Sequence, residues 1–136
     1  MNFYTNTLAS TTQDLINKLK GTAVLDSFYL SGGTALALML GHRESEDLDF
    51  FSEKDFAPEM LLGDLSQVVE IESSEVSKGT LNCFAENVKL QFLNYPYPLI
   101  RDFLNFEGIL LSSVEDIACT KLITVSVRGS KKDFID

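Results

Sequence analysis

A pair of glycines, Gly32-Gly33, stands between two short apolar segments, and that punctuation constrains the fold of this chain more than any other feature. Upstream, "SFYL" reads as a short buried strand over Phe28 to Leu30 that runs into a turn. Downstream, "TALALML" is built from strong helix formers and stops at Gly41, so a short apolar helix is predicted. "DLDFFS" then reads as a further strand, and it carries two aspartates, Asp47 and Asp49, in otherwise hydrophobic surroundings. Alternation along a strand puts the two aspartates on one side and Leu48 and Phe50 on the other.

The remaining segments follow from the same signals. A first helix is predicted over Leu8 to Lys20, with Leu8, Leu15, Ile16 and Leu19 on one face and Gly21 as the stop. Asp55 is expected to cap a helix with Pro58 in its first turn and Leu61, Leu65, Val68 and Val69 at helical spacing. Ile71 to Val76 reads as a strand. "TLNCFAENVKLQFLNY" reads as a hairpin turning near Glu86-Asn87, with Leu81, Cys83 and Ala85 alternating on one arm and Val88, Leu90 and Phe92 on the other. "YPYP" breaks the pattern. Ser113 and Asp116 have the spacing of a capping box and open a helix to Arg128, stopped by Gly129. Ser130 and Asp133 repeat that spacing, so a further helix is predicted to start near the end. The order α-β-α-β-α-β-β-β-α-α predicts an α+β or mixed α/β fold, a sheet with helices packed on it.

The chain has 136 residues, 45% hydrophobic and 23% charged, enough for one globular domain with a real core. No apolar run approaches the roughly 20 residues that span a membrane, and the N-terminus has no signal-peptide pattern. Cys83 and Cys119 lie far apart in apolar surroundings and are expected as reduced core residues, which fits a cytoplasmic protein. Eleven Lys and Arg against twenty Asp and Glu give a net charge of −9. That balance argues against broad nucleic-acid binding by charge alone, although Lys121, Arg128, Lys131 and Lys132 bunch near the end.

Aspartate is depleted in strands, and two on one face repel each other. A divalent cation between them reverses that cost. Mg²⁺ suits such hard oxygen ligands, taking one or two protein carboxylates together with water and substrate phosphates. The plainer reading is a solvated strand end whose charges discourage aggregation. Ser31-Gly32-Gly33-Thr34, between a strand and a helix, lets backbone N–H groups approach a phosphate at a helix N-terminus, or makes an ordinary tight turn. Together, a phosphate cradle and metal-binding carboxylates suit phosphoryl or nucleotidyl transfer.

The stretch Gly32-Gly33-Thr34-Ala35-Leu36, followed by His42-Arg43-x-Ser45-x-Asp47-Leu48-Asp49-Phe50-Phe51, resembles the AbiEii/AbiGii toxin-type nucleotidyltransferases, a branch of the DNA polymerase β-like superfamily. A second segment is similar too: Asp116-Ile-Ala-x-x-Lys121, then Arg128-Gly129, then Lys132-Asp133-Phe134-Ile135-Asp136. The resemblance spans about Phe28 to the end. It implies a single nucleotidyltransferase-like domain over 1–136, without the C-terminal helical region that family members usually carry. It further implies a metal-dependent enzyme that moves a nucleotide from an NTP to an acceptor. Gly32, Gly33 and Thr34 would hold the triphosphate, and Asp47 and Asp49 would bind Mg²⁺ or Mn²⁺. Lys121 would face the nucleotide phosphates, and Asp133 would be a further active-site acid or support one. An RNA acceptor and an antitoxin protein are the partners the resemblance suggests.

One position departs from that pattern. The superfamily's third carboxylate, on the strand "VKLQFL", falls on Gln91, which shares a face with Lys89. Glutamine accepts a hydrogen bond but cannot serve as a general base. The rival reading is therefore a degenerate fold that binds a nucleotide or a protein without turnover. A remnant that needs another chain to complete its core is a third. Arg43 is a candidate phosphate ligand or an ion-pair partner of Glu44 or Glu46. His42 is more ordinarily structural, and Ser45 is expected to hydrogen-bond the loop that presents Asp47.

Overall fold

The computed structural model describes the backbone of residues 2–41 and 44–128 and the side chains through Ile123. In chain order the elements are α1 (Ser10–Leu19), β1 (Tyr29–Ser31), α2 (Gly32–Leu40), β2 (Leu48–Ser52), α3 (Pro58–Ser66), β3 (Ile71–Ser77), β4 (Thr80–Ala85), β5 (Val88–Asn94), β6 (Leu104–Phe106), β7 (Ile109–Leu111) and α4 (Val114–Arg128). Short 3₁₀ turns at Thr5–Thr7 and Ala23–Leu25 flank α1. The strands form one sheet in the order β3-β4-β5-β2-β1-β7-β6. β1 runs antiparallel to β2 and parallel to β7, and β2 runs parallel to β5. The expected α+β fold with a mixed sheet is what forms.

Alternation explains the layering. Leu48 and Phe50 of β2, Leu81 and Cys83 of β4, and Leu90 and Phe92 of β5 point to one face, where they meet Leu15, Ile16 and Leu19 of α1, Leu38 of α2 and Leu65 of α3. On the opposite face, near one end of β1 and β2, Tyr29, Phe51 and Tyr95 cluster with Ile123 of α4.

Several expectations shift. α1 starts at Ser10, because Leu8 is extended and pairs with Ser45. Asp55 does not cap α3. Ala57 stands at that position without a side-chain bond, and Pro58, whose fixed φ and missing N–H suit a first turn, starts the helix. The β6–β7 hairpin was not expected. It turns at Glu107-Gly108, and its three-residue arms are too short to show a period. Asp47 lies just before β2 rather than within it. The expected helix after Gly129 falls outside the described residues. Both cysteines are free, Cys83 buried and Cys119 half-buried.

The β4–β5 turn falls at Glu86-Asn87 as expected, both residues with positive φ (52° and 67°), as a two-residue hairpin requires. α1 and the residue after it reach two of the three hairpin turns: Lys18 pairs with Glu86 at 2.5 Å and Lys20 with Glu107 at 2.6 Å. These exposed pairs add little energy, but they fix where the helix end lies.

Asp116 is more consequential. It is 2% exposed, and its carboxylate accepts bonds from the N–H groups of Ile100 (2.8 Å) and Arg101 (3.0 Å) and from the Ser113 hydroxyl (2.8 Å). Its own N–H donates to Ser113 Oγ, so the expected capping pair forms. One carboxylate thus ties the irregular segment after "YPYP" to the start of α4. Asp116→Ala is expected to cost about 2–3 kcal/mol by stranding these donors. In a thermal melt that is a loss of roughly 10 °C for a domain of this size. A melt within a degree or two of wild type would show that water replaces the carboxylate.

Candidate active site

The site begins at the β1–α2 junction. Gly32 takes φ +68°, a left-handed conformation that favours glycine. A second constraint acts at the same residue. A methyl group there would drive into the Asp49 carboxylate and lie only 3.2 Å from Asp49 Cβ and Cγ. Register explains the closeness, since Ser31 pairs directly with Asp49 across the antiparallel β1–β2 ladder. Gly32→Ala therefore combines about 1–2 kcal/mol of left-handed backbone strain with about 1–3 kcal/mol of overpacking. Urea unfolding should report a loss of roughly 2–5 kcal/mol. A cost below about 1 kcal/mol would mean that the turn relaxes freely.

The loop carrying Asp47 is held from two sides. Thr34, fully buried in α2, donates its hydroxyl to the carbonyl of Asp47 and lies 2.7 Å from Ser45 Oγ. On the other side, Thr12 of α1 donates to the Glu46 carbonyl at 2.9 Å, and the Ser45 N–H donates to the Thr7 carbonyl at 2.9 Å. Ser45, expected to hydrogen-bond the loop itself, instead ties it to Thr34 of α2 and to the Thr7 carbonyl. Thr12 carried no sequence signal, because its partner lies 34 residues away.

Gly33, Thr34, Glu44, Ser45, Glu46, Asp47 and Asp49 line one open cleft of about 440 Å³. Asp47 is exposed and Asp49 half-buried. The Asp49 carboxyl is raised above its ordinary range, first by burial and then by the charge of Asp47, with Lys89 pulling the other way. Gln91 is the direct partner of Asp49 in the parallel β2–β5 ladder. Lys121 is exposed on α4 and does not line this cleft. His42, Arg43 and Asp133 lie outside the described residues.

The chemistry of the donors fits a hard cation only in part. Asp47 and Asp49 supply carboxylate oxygens at the mouth of the cleft, and a positive charge would relieve the repulsion that raises Asp49. Among the described residues, no group of three or more metal-ligating side chains gathers anywhere. Mg²⁺ bound here would need water and substrate phosphates to complete its shell, which is its usual habit.

The seven-stranded mixed sheet with its packed helices is the architecture of nucleotidyltransferase folds. A proposed nucleotidyltransferase of Thermotoga maritima superposes with a TM-score of 0.57 at 17% identity, covering 88% of this chain and 86% of its own. The polyadenylate synthase of Megavirus gives 0.57 at 14% identity, covering 84% of this chain and 26% of the viral one. A protein of Helicobacter pylori gives 0.55 at 23% identity, covering 85% and 57%. Residues 18–97, more than half of the chain, match the nucleotidyl transferase AbiEii toxin family of type IV toxin–antitoxin systems. The chain belongs to this AbiEii nucleotidyltransferase family. It is also 36% identical over 128 residues to an uncharacterized protein of Aquifex aeolicus, across 91% of this chain but 62% of that protein's length.

Proposed function

We propose that residues 1–136 form one nucleotidyltransferase unit that moves a nucleotide from an NTP to an acceptor with the help of Mg²⁺ or Mn²⁺. The observation that carries this reading is the shared cleft: Gly33 and Thr34 at the start of a helix face Asp47 and Asp49. Backbone N–H groups at Gly32, Gly33 and Thr34 would receive the triphosphate. The Thr34 hydroxyl, spent on the Asp47 loop, would position rather than bind.

Asp47 and Asp49 would hold the cation, which supplies charge neutralisation at the reacting phosphate. In the reaction, an acceptor hydroxyl oxygen bonds to the α-phosphorus, the bond to the β-phosphate bridge breaks, and pyrophosphate leaves. The hydroxyl proton must go elsewhere. Gln91 can accept a hydrogen bond from that hydroxyl but cannot keep its proton. Lys121 and Arg43 as nucleotide-phosphate ligands and Asp133 as a further acid rest on the family pattern. So do an RNA acceptor, an antitoxin partner and a cytoplasmic setting. None of the described helices is long and apolar enough to cross a membrane.

The second reading, a nucleotide binder without turnover, is favoured by Gln91 beside Asp49. Equilibrium binding of a fluorescent NTP across a Mg²⁺ series tests the shared part. Wild type should bind only with the ion, while Asp47→Asn should lose on the order of tenfold or more in apparent affinity. Lys121→Met, which keeps the stem and removes the charge, should also weaken binding. Binding that ignores Mg²⁺ and Asp47 would remove the metal from the proposal. Incorporation of labelled nucleotide into total RNA or protein then separates an enzyme from a binder.

A further inference from the structure

A separate cavity lies at the other end of β1 and β2. The cleft sits where Ser31 pairs with Asp49; two residues back along β1, Tyr29 pairs with Phe51. At that end a cavity of about 240 Å³ has Tyr29, Tyr97, Phe103, Asp26, Glu53 and Lys54 in its wall, none of which lines the cleft. Its aromatic lining belongs to one chain of rings. Phe103 packs on Tyr29 with ring centroids 5.0 Å apart, Tyr29 on Phe51 at 6.0 Å, Phe51 on Tyr95 at 5.4 Å and Tyr95 on Tyr97 at 4.9 Å. The chain begins and ends at the cavity, and its end members, Phe103 and Tyr97, are 40% and 41% exposed.

We propose that this cavity binds a small organic cation of the quaternary-ammonium class, held between the Phe103 and Tyr97 rings and beside the Glu53 and Asp26 carboxylates. The site is distinct from the cleft and does not depend on the nucleotidyltransferase reading.

Three observations carry it. The first is the pair of exposed rings at one cavity. Exposed aromatic faces leave apolar area in water, and a cation seated over them is attracted by their electron-rich faces. The second is charge. Asp26 and Glu53 outnumber Lys54 in the lining. The Tyr29 hydroxyl is buried with no hydrogen-bond partner among the described residues, and it is pushed above the ordinary phenol range, first by burial and then by Tyr95, Asp116 and Glu53. The Glu53 carboxylate therefore lies within electrostatic reach of that ring, and a positive charge here relieves the excess of negative ones.

The third observation selects the kind of cation. The turn after β2 has spent its acceptors. The Ser52 carbonyl accepts from the Tyr95 N–H (2.7 Å) and the Asn94 amide (3.1 Å), and the Lys54 carbonyl accepts from the Ser52 hydroxyl (2.9 Å) and the same amide (2.9 Å). Each carbonyl has two lone pairs, and both are used. A primary ammonium buried against this turn would leave N–H groups unpaired, whereas a quaternary one has none to satisfy. The cavity is also smaller than the usual site for a drug-sized molecule, so the ligand is small.

The test is a titration of the full chain with choline, followed by calorimetry or NMR shifts, against its neutral isostere, the alcohol with a tert-butyl group in place of trimethylammonium. Choline should bind on the order of fivefold tighter than the isostere, the scale of one cation–π contact. Phe103→Leu keeps an apolar side chain and removes the ring, and it should lose a similar factor, with a melt recorded to show that the fold is intact. Glu53→Gln should weaken choline about two- to fivefold. Lys54→Met should strengthen it about twofold, because the stem stays and a competing charge goes. Phe84→Leu, at an exposed ring on β4, should change nothing. No saturable binding of choline below about 10 mM overturns the proposal. Equal binding of the isostere makes the cavity a plain apolar pocket, and a Lys54→Met protein that binds choline no better than wild type removes the electrostatic argument; either result overturns it as well.

Discussion

Asp49→Asn should sharply reduce nucleotide transfer and, in chelator at neutral pH, raise the melting temperature. Both effects come from one carboxylate. Burial and the Asp47 charge raise its pKa in the folded chain. Between its unfolded value, about 4, and that raised value, the folded state binds more protons than the unfolded one. Stability contributed by this group is therefore full at acid pH and is lost as pH rises through the window. Asparagine cannot ionise and escapes the loss. The gain in melting temperature should appear only above about pH 4 and then level off. Added Mg²⁺ should raise the wild-type melt and leave the variant unmoved. Transfer should fall on the order of 10²-fold or more, the scale of losing an electrostatic anchor for the transition state. An Asp49→Asn protein that melts no higher than wild type and still responds to Mg²⁺ would show that the carboxylate is neither strained nor a ligand.

Gln91→Asp should move activity the other way. Wild type is expected to transfer nucleotides slowly, because the side chain next to Asp49 cannot take the acceptor proton. General-base help is worth about 10²- to 10⁴-fold. The substitution puts that capacity one strand from Asp49, in direct register. It should also lower stability in chelator, because a third carboxylate joins Asp47 and Asp49 until a cation binds. Wild type and variant are compared for incorporation at saturating Mg²⁺, with melts taken with and without the ion. A fast wild type with no gain in Gln91→Asp means that the proton leaves by another route. Two inactive proteins that both bind NTP support the binder reading.

Much of this arrangement was legible from local pattern. The β4–β5 hairpin was readable because each arm alternates over six or seven residues and the turn residues are distinctive. α2 was readable because glycines bracket it, and α4 because Ser113 and Asp116 have capping spacing. The partnership of Asp49 and Gln91 was approachable because strand alternation put Gln91 on the polar face. What escaped depends on contacts between distant segments. The β6–β7 arms have three residues each and no period. Thr12 reaches a carbonyl 34 residues on, and Asp116 reaches N–H groups 15 and 16 residues back. Asp55 looked like a cap, but the backbone fixed by Pro58 settled where α3 starts. Nothing in the local sequence showed that the Thr34 hydroxyl would be spent on the Asp47 loop.

The parallel pairing of β2 with β5 has a consequence for synthesis. β5 begins 36 residues after β2 ends, with α3, β3 and β4 between them. Until that stretch has left the ribosome, β2 is an unpaired edge beside β1, with Phe50 and Phe51 in its middle. Such an edge invites pairing with a neighbouring nascent chain. Asp49 interrupts the apolar run between Leu48 and Phe50, as gatekeeper charges do in vulnerable strands. The carboxylate that burdens the finished fold therefore protects the unfinished one. Asp49→Val should leave more of the protein insoluble during expression than Asp49→Asn, because it removes both the charge and the polarity at that edge.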